Sequence, residues 1–199
     1  DIGTATVEYC VAVGSQALRS ASGATTGLNG TVALGYFAGQ DLTTGTGNIA
    51  IGYQSMLQHT TGARNIAIGY GAMDDTDAGS TSLGSSDNIF MGYDAGGGTW
   101  ADAASISNVA IGNYAMDAAL NGAGQNIAIG YKAMDSFHSG SQGSYHTYNL
   151  AIGHEALETN EYANFNTIIG HKSAEAHEYA ASGGENTMLG YKCTTADSN

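Results

Sequence analysis

Short alternations of polar and apolar residues recur along the chain in the same order each time. The clearest copies read NIAIGYQSM at Asn48–Met56, NIAIGYGAM at Asn65–Met73, NVAIGNYAM at Asn108–Met116 and NIAIGYKAM at Asn126–Met134. Looser copies are CVAVGSQAL at Cys10–Leu18, TVALGYFAG at Thr31–Gly39, NIFMGYDAG at Asn88–Gly96, NLAIGHEAL at Asn149–Leu157, NTIIGHKSA at Asn166–Ala174 and NTMLGYKCT at Asn186–Thr194. Their central glycines are Gly14, Gly35, Gly52, Gly69, Gly92, Gly112, Gly130, Gly153, Gly170 and Gly190. Self-similarity at a period of about 20 residues is the signature of a stacked, quasi-one-dimensional protein. The pattern predicts a single elongated repeat domain over residues 1–199. Its fold class is all-β, a parallel β-solenoid of about ten short coils.

Counting from each glycine, position −1 is aliphatic or Met in every copy, −3 is aliphatic in eight, and Ala stands between them in seven. On a strand, −3 and −1 share one face and −2 takes the other. A short strand that is apolar on both sides is buried on both sides. The aliphatics are expected to fill the coil. The Ala stripe (Ala50, Ala67, Ala110, Ala128 and Ala151) is expected to space coils and identical chains closely. The glycine permits a positive φ or a close backbone approach. Asn at −4, present in eight copies, is expected to form an amide ladder at one corner. The ring after glycine (Tyr36, Tyr53, Tyr70, Tyr93, Tyr131, His154, His171 and Tyr191) predicts an aromatic ladder, with Lys132, Lys172 and Lys192 beside it as solvated ends. Leu or Met at +4 (Leu18, Met56, Met73, Met116, Met134 and Leu157) is expected to begin a second buried strand. This core is thin against a backbone ordering cost of ~1–2 kcal/mol per residue. A thin core with a second apolar face predicts a homo-oligomer of cyclic symmetry.

NIAIGYGAM and NIAIGYKAM resemble the N-x-(V/A)-(A/V)-(I/V)-G-x-x-A-x-A repeats of YadA-like trimeric adhesin heads. They resemble still more the NTAVGYQAL-type repeats of bacteriophage tail-fibre proteins. The resemblance runs from Cys10 to Thr194, nearly the whole chain. It implies a left-handed β-roll, homotrimeric, in a virion or on an extracellular surface. The function it implies is a structural fibre segment of a virion, a tail fibre or other phage appendage. Such a segment would attach to a host-surface glycan or protein and join other virion proteins. A bacterial surface adhesin head and a glycan depolymerase tailspike are the alternatives. The period is longer and less uniform than that of adhesin heads, and the chain shows no C-terminal chaperone or membrane anchor.

Charge and composition narrow the partners. With 18 acidic and 5 basic residues the net charge is −13, which argues against electrostatic binding to nucleic acid or an anionic membrane. No apolar run approaches the ~20 residues needed to cross a bilayer, so membrane insertion is not expected. Thirty glycines and no proline fit tight turns whose N–H groups are needed for pairing. A start at Asp1 rather than Met is expected of an excised or processed segment. Cys10 and Cys193 lie in the first and last copies. At ~4.8 Å per coil they stand roughly 40 Å apart, beyond the ~7 Å reach of a disulfide. Cys193 occupies an Ala or Ser slot and reads as a small buried filler.

Specificity is expected where the period lengthens, in Arg19–Gly30, Asp74–Asp87, Gly97–Ser107 and Ser136–Tyr148. Trp100, on a glycine-rich loop, is a candidate receptor contact, with packing between chains the stronger expectation. Phe137, His138, Tyr145, His146 and Tyr148 form the densest aromatic stretch and are the other receptor-contact candidates. Asp75–Gly79 opens like a calcium loop but lacks the downstream Glu, and reads as a solvated acidic turn. His154 and His171 share the ring slot of adjacent coils and are expected to stack rather than to bind metal. The carboxylate pairs are Glu155/Glu158 and Glu175/Glu178, but there is no GxSxG elbow, HExxH pair or phosphate-binding loop. The chain is therefore expected to be non-enzymatic, with no cofactor and no metal.

Overall fold

The structure, a computed structural model, describes residues 8–19, 27–76, 84–100, 103–118, 120–136, 146–160, 164–174, 176–177 and 185–194. Each repeat contributes one three-residue strand: β1 (Val11–Val13), β2 (Val32–Leu34), β3 (Ile49–Ile51), β4 (Ile66–Ile68), β5 (Ile89–Met91), β6 (Val109–Ile111), β7 (Ile127–Ile129), β8 (Leu150–Ile152), β10 (Thr167–Ile169) and β12 (Thr187–Leu189). These ten strands form one parallel sheet in chain order. Two short strands, β9 (Thr159–Asn160) and β11 (Ala176–His177), pair in parallel as a second sheet. The described residues contain no α-helix. The chain is thus an all-β parallel β-solenoid.

Register is set by the repeat itself. Ile49 pairs with Ile66 and Ala50 with Ala67, and the same position faces its own kind from β1 to β12. The turns are laddered too. Gly52 N–H donates to Leu34 O at 2.8 Å, and Met56 N–H donates to Ala72 O at 3.0 Å in the following turn. Glycine is required where successive turns meet. A Cβ on Gly52, at φ +132°, would stand 2.2 Å from the Gly69 carbonyl oxygen. The amide ladder forms as expected along Asn48, Asn65, Asn88, Asn108, Asn126, Asn149, Asn166 and Asn186. Each Oδ1 accepts from both the backbone N–H and the Nδ2 of the next Asn, as Asn88 does from Asn108 at 2.9 and 3.1 Å. Nδ2 groups also close the adjoining loops, as with Asn108 to Ala123 O at 2.9 Å.

The two faces of the strands are the reverse of the expected arrangement. Ala50, Ala67, Ala110, Ala128 and Ala151 are fully buried inside the solenoid, while the flanking aliphatics point outward. Met91, Ile111 and Ile127 remain 36–39% exposed. The interior of so short a turn holds one small residue on the strand, Ala or Ser at +3, and one long side chain at +4. Two branched aliphatics would overfill it. The +4 side chains are buried as expected but do not start a strand. They sit in turns at positive φ, from 52° at Leu18 to 56° at Met134. Side chains two places after the glycine, such as Gln54 (57°), share that conformation.

Interior volume is shared between −2 and +4. Ala pairs with Met at Ala50/Met56, Ala67/Met73, Ala110/Met116 and Ala128/Met134. Where the strand residue is Phe90, position +4 is Gly96, and a Cβ there would lie 2.4 Å from the Phe90 ring. Ile168 likewise goes with Ala174. Ala33 goes with Gly39, and the space is filled by Leu42. The two cysteines are free and follow or precede opposite ends of the sheet, so they cannot pair. Cys10 stands in the Asn slot and its Sγ–H donates to Leu28 O at 2.8 Å. Cys193 is only half-buried, because the stack ends beside it.

Candidate functional site

The outward side of the main sheet carries the chemistry that solvent or a partner can reach. Because the strands are in register, positions −3 and −1 become two aliphatic rows along the solenoid, the −3 row ending in Thr167 and Thr187. The apolar side chains on this face are partly exposed in the single chain.

Beside it the rings after glycine stack as the sequence predicts. Tyr36, Tyr53, Tyr70 and Tyr93 lie with centroids 4.8–5.4 Å apart and planes within 20°. The spacing is that of adjacent strands. Asn113 interrupts the slot, and its Oδ1 accepts from Tyr93 N–H at 3.1 Å. The next residue, Tyr114, bridges the gap edge-on, 5.2 Å from Tyr93 and 6.0 Å from Tyr131. The ladder then continues through Tyr131, His154, His171 and Tyr191, with the two imidazoles 4.8 Å apart. In the parallel runs each ring covers its neighbours' faces. What is left outward is ring edges and hydroxyl groups, which disfavours stacking of a sugar on these rings.

A third row is acidic. Asp74, Asp117, Asp135 and Glu158 each stand five residues after a repeat glycine, and Asp94 joins them. Burial, then the neighbouring Asp94 and Asp75 charges, push the Asp74 carboxyl up to about 6. Burial, then Asp135 and Asp94, push Asp117 up to about 6. At the far end lysines offset the repulsion. Lys132 Nζ is 3.1 Å from Asp135 and 3.9 Å from Glu158, and Lys172 Nζ is 2.5 Å from Glu155. Lys132 and Lys172 are thus paired rather than simply solvated, while Lys192 Nζ lies 5.6 Å from the Tyr191 ring centroid. Their hydrogen bonds hold the Glu155 carboxyl below its ordinary range and the Lys132 ammonium above its own.

Of the receptor-contact candidates, Trp100, His146 and Tyr148 fall among the described residues. Trp100 is fully buried in its own turn, its Nε1–H donating to Gly96 O at 3.0 Å and its ring 5.5 Å from Phe90. Buried within its own chain against the Phe90 ring, it presents no surface to a receptor or to a second chain. His146 is buried, and its carbonyl accepts from Asn126 Nδ2 at 2.9 Å, so it belongs to the amide ladder. Tyr148 is about half exposed and stacks on Phe165 at 5.0 Å. Phe137, His138 and Tyr145 lie outside the described residues, as do Asp77–Gly79, Glu175 and Glu178. Asp75 accepts from Thr99 Oγ1, and Thr76 is buried against His59. Among the described residues no group of three or more His, Cys, Asp or Glu side chains is placed to hold a metal ion. A shallow cleft of about 290 Å³ between Ile106, Ala123 and Gln125 has no titratable side chain.

Sequence reasoning missed the acidic row and the buried His59. The row had a signal in its constant offset from the glycine; a lone histidine in a turn had none. No protein-family model, curated protein or solved structure matches this chain.

Proposed function

We propose that the chain is a non-enzymatic structural fibre segment of a virion, a tail fibre or other phage appendage. In this reading three chains associate as a left-handed β-roll through the outward aliphatic face, and the loops where the period lengthens meet a host-surface glycan or protein. Its location is then the virion or another extracellular surface, and its neighbours are other virion proteins. The observation that carries the proposal is the pair of mainly aliphatic rows left partly exposed on one face of the sheet. Removing such surface from water is worth roughly 25 cal/mol per Å², and a cyclic arrangement lets identical rows cover one another without leaving an end. The face assigned to this contact is the Ile/Val/Leu face, and the alanines act within each chain. The resemblance of the motif to tail-fibre repeats supports the virion setting, and the same face would serve a bacterial adhesin head.

Sedimentation equilibrium is the direct test. A trimer is expected for the wild type, and Ile111→Lys should shift it to monomer while the β-rich circular dichroism spectrum is kept. A wild-type chain that stays a compact monomer at all concentrations would sink the proposal. The acidic row favours a second reading, glycan cleavage, since carboxyls raised to about 6 beside further carboxylates are the kind of grouping acid–base hydrolysis uses. Incubation with capsular polysaccharide or lipopolysaccharide separates the two: released oligosaccharides require an enzyme, and unaltered glycan supports the fibre.

A further inference from the structure

Inside the solenoid, one titratable side chain has no part in the reading above. His59 is completely buried, and its ring links two turns. Nδ1 lies 2.8 Å from Thr76 Oγ1, and Nε2 lies 3.1 Å from Asn65 Nδ2. The orientation of Asn65 is set by the amide ladder, because its Oδ1 accepts from Asn88 N–H at 3.0 Å and Asn88 Nδ2 at 3.1 Å. Its NH₂ group, which also donates to Ser85 O at 2.9 Å, therefore faces the imidazole. An amide nitrogen has only protons to give, so a neutral ring is matched to this site and accepts at Nε2. A protonated ring would set N–H against NH₂, with only the Gly62 backbone to take the proton.

We infer that His59 is an acid-sensitive latch, whose protonation displaces the Asn65 amide and opens the adjoining turns locally while the rest of the stack stays closed. Among the described residues no carboxylate contacts the imidazole. The charged residues on the neighbouring elements are Arg64, Asp74, Asp75 and Asp87. Arg64 is paired with Asp87 at 2.6 and 2.8 Å, Asp75 with Thr99, and Asp74 with the acidic row. Burial lowers the His59 pKa to about 4 against an ordinary 6.5. The opened state takes up the proton at the ordinary value. Linkage then raises the population of local opening roughly a hundredfold between pH 7.5 and pH 4.

The test is pulsed deuterium labelling of the full chain after equilibration at pH 7.5 and pH 4, corrected for intrinsic exchange. Peptides covering residues 52–76 should lose protection at pH 4 while those covering 108–136 keep it, and in His59→Gln the local loss should disappear. A uniform loss along the chain, or the same local loss in His59→Gln, would overturn the latch. If that variant does not fold, the imidazole proton signal of the wild type decides. Titration of His59 near 6.5 with protection retained contradicts the proposal; titration only together with the local loss supports it.

Discussion

At the repeat glycines a single hydrogen atom decides whether successive turns can stack. A Cβ on Gly52 meets a backbone carbonyl that the sheet register prevents from moving. Gly52→Ala is therefore expected to cost more than about 4 kcal/mol or to prevent folding. Gly27→Ala, at φ +74° with open space around it, should cost only about 1–2 kcal/mol through its left-handed backbone. Urea denaturation of the two variants checks the contrast. The amide row is equally unforgiving. Asn108→Ala would leave Ala123 O without its donor and Asn126 N–H without its acceptor in a buried setting. A loss of about 3 kcal/mol is expected from those groups, and exchange of the Asn126 amide proton should rise with it. Both rows were legible in the sequence, because a residue type recurring at one offset stacks on its own copies. His59 was not, since its two side-chain partners, Asn65 and Thr76, stand six and seventeen residues away at offsets that do not recur.

At the level of one strand and its turn, composition and burial part company. The sequence shows which positions are apolar, and period two assigns them to opposite faces, but it does not say which face is inside. Turn length decides. In so short a repeat, the interior takes the small residue of the strand and the long residue of the turn. The Phe90/Gly96 and Ile168/Ala174 pairs keep that sum constant. A double-mutant cycle tests the rule in a regular turn. Ala67→Phe alone should destabilise by about 1–3 kcal/mol through overpacking. Addition of Met73→Gly, copying the Phe90 turn, should recover part of the loss and give a favourable coupling energy above about 0.5 kcal/mol. Simple additivity of the two losses would refute volume sharing. The +4 methionines also show packing overriding backbone preference. Their positive φ costs about 1 kcal/mol, less than the 1.5–3 kcal/mol, roughly, that burying the side chain contributes.

Across the whole molecule the charges give the pH response two opposing limbs. Asp74 and Asp117 have folded-state values raised to about 6, so the folded chain binds more protons than the unfolded chain between about 4 and 6. Their repulsion destabilises the fold above pH 6 and is relieved as the pH falls through that value. His59 has a lowered value, so its contribution is full above about 6.5 and is lost as the pH falls toward 4. With two raised carboxyls against one lowered imidazole, the carboxyl limb wins and thermal stability is expected to rise as the pH falls from about 6 toward about 4. Asp117→Asn should raise stability at pH 7.5 by about 1 kcal/mol, since water screens this half-buried site, and the gain should fade at pH 5. Melting curves at the two values check both sign and crossover.

Period, strand positions, parallel register, amide ladder and ring ladder follow from the sequence by itself, because each is a consequence of like residues stacking at a fixed offset. Even the ring break at Asn113 was visible there, although its repair by Tyr114 was not. Three things only the tertiary structure decided. It put the alanines inside and the aliphatics out, because the narrow turn limits interior volume. It buried Trp100, because the chain folds its ring back onto Phe90 and its Nε1–H onto the Gly96 carbonyl. It set the buried His59 ring between the Thr76 hydroxyl and the Asn65 amide, because neighbouring turns converge on a point that no single repeat contains.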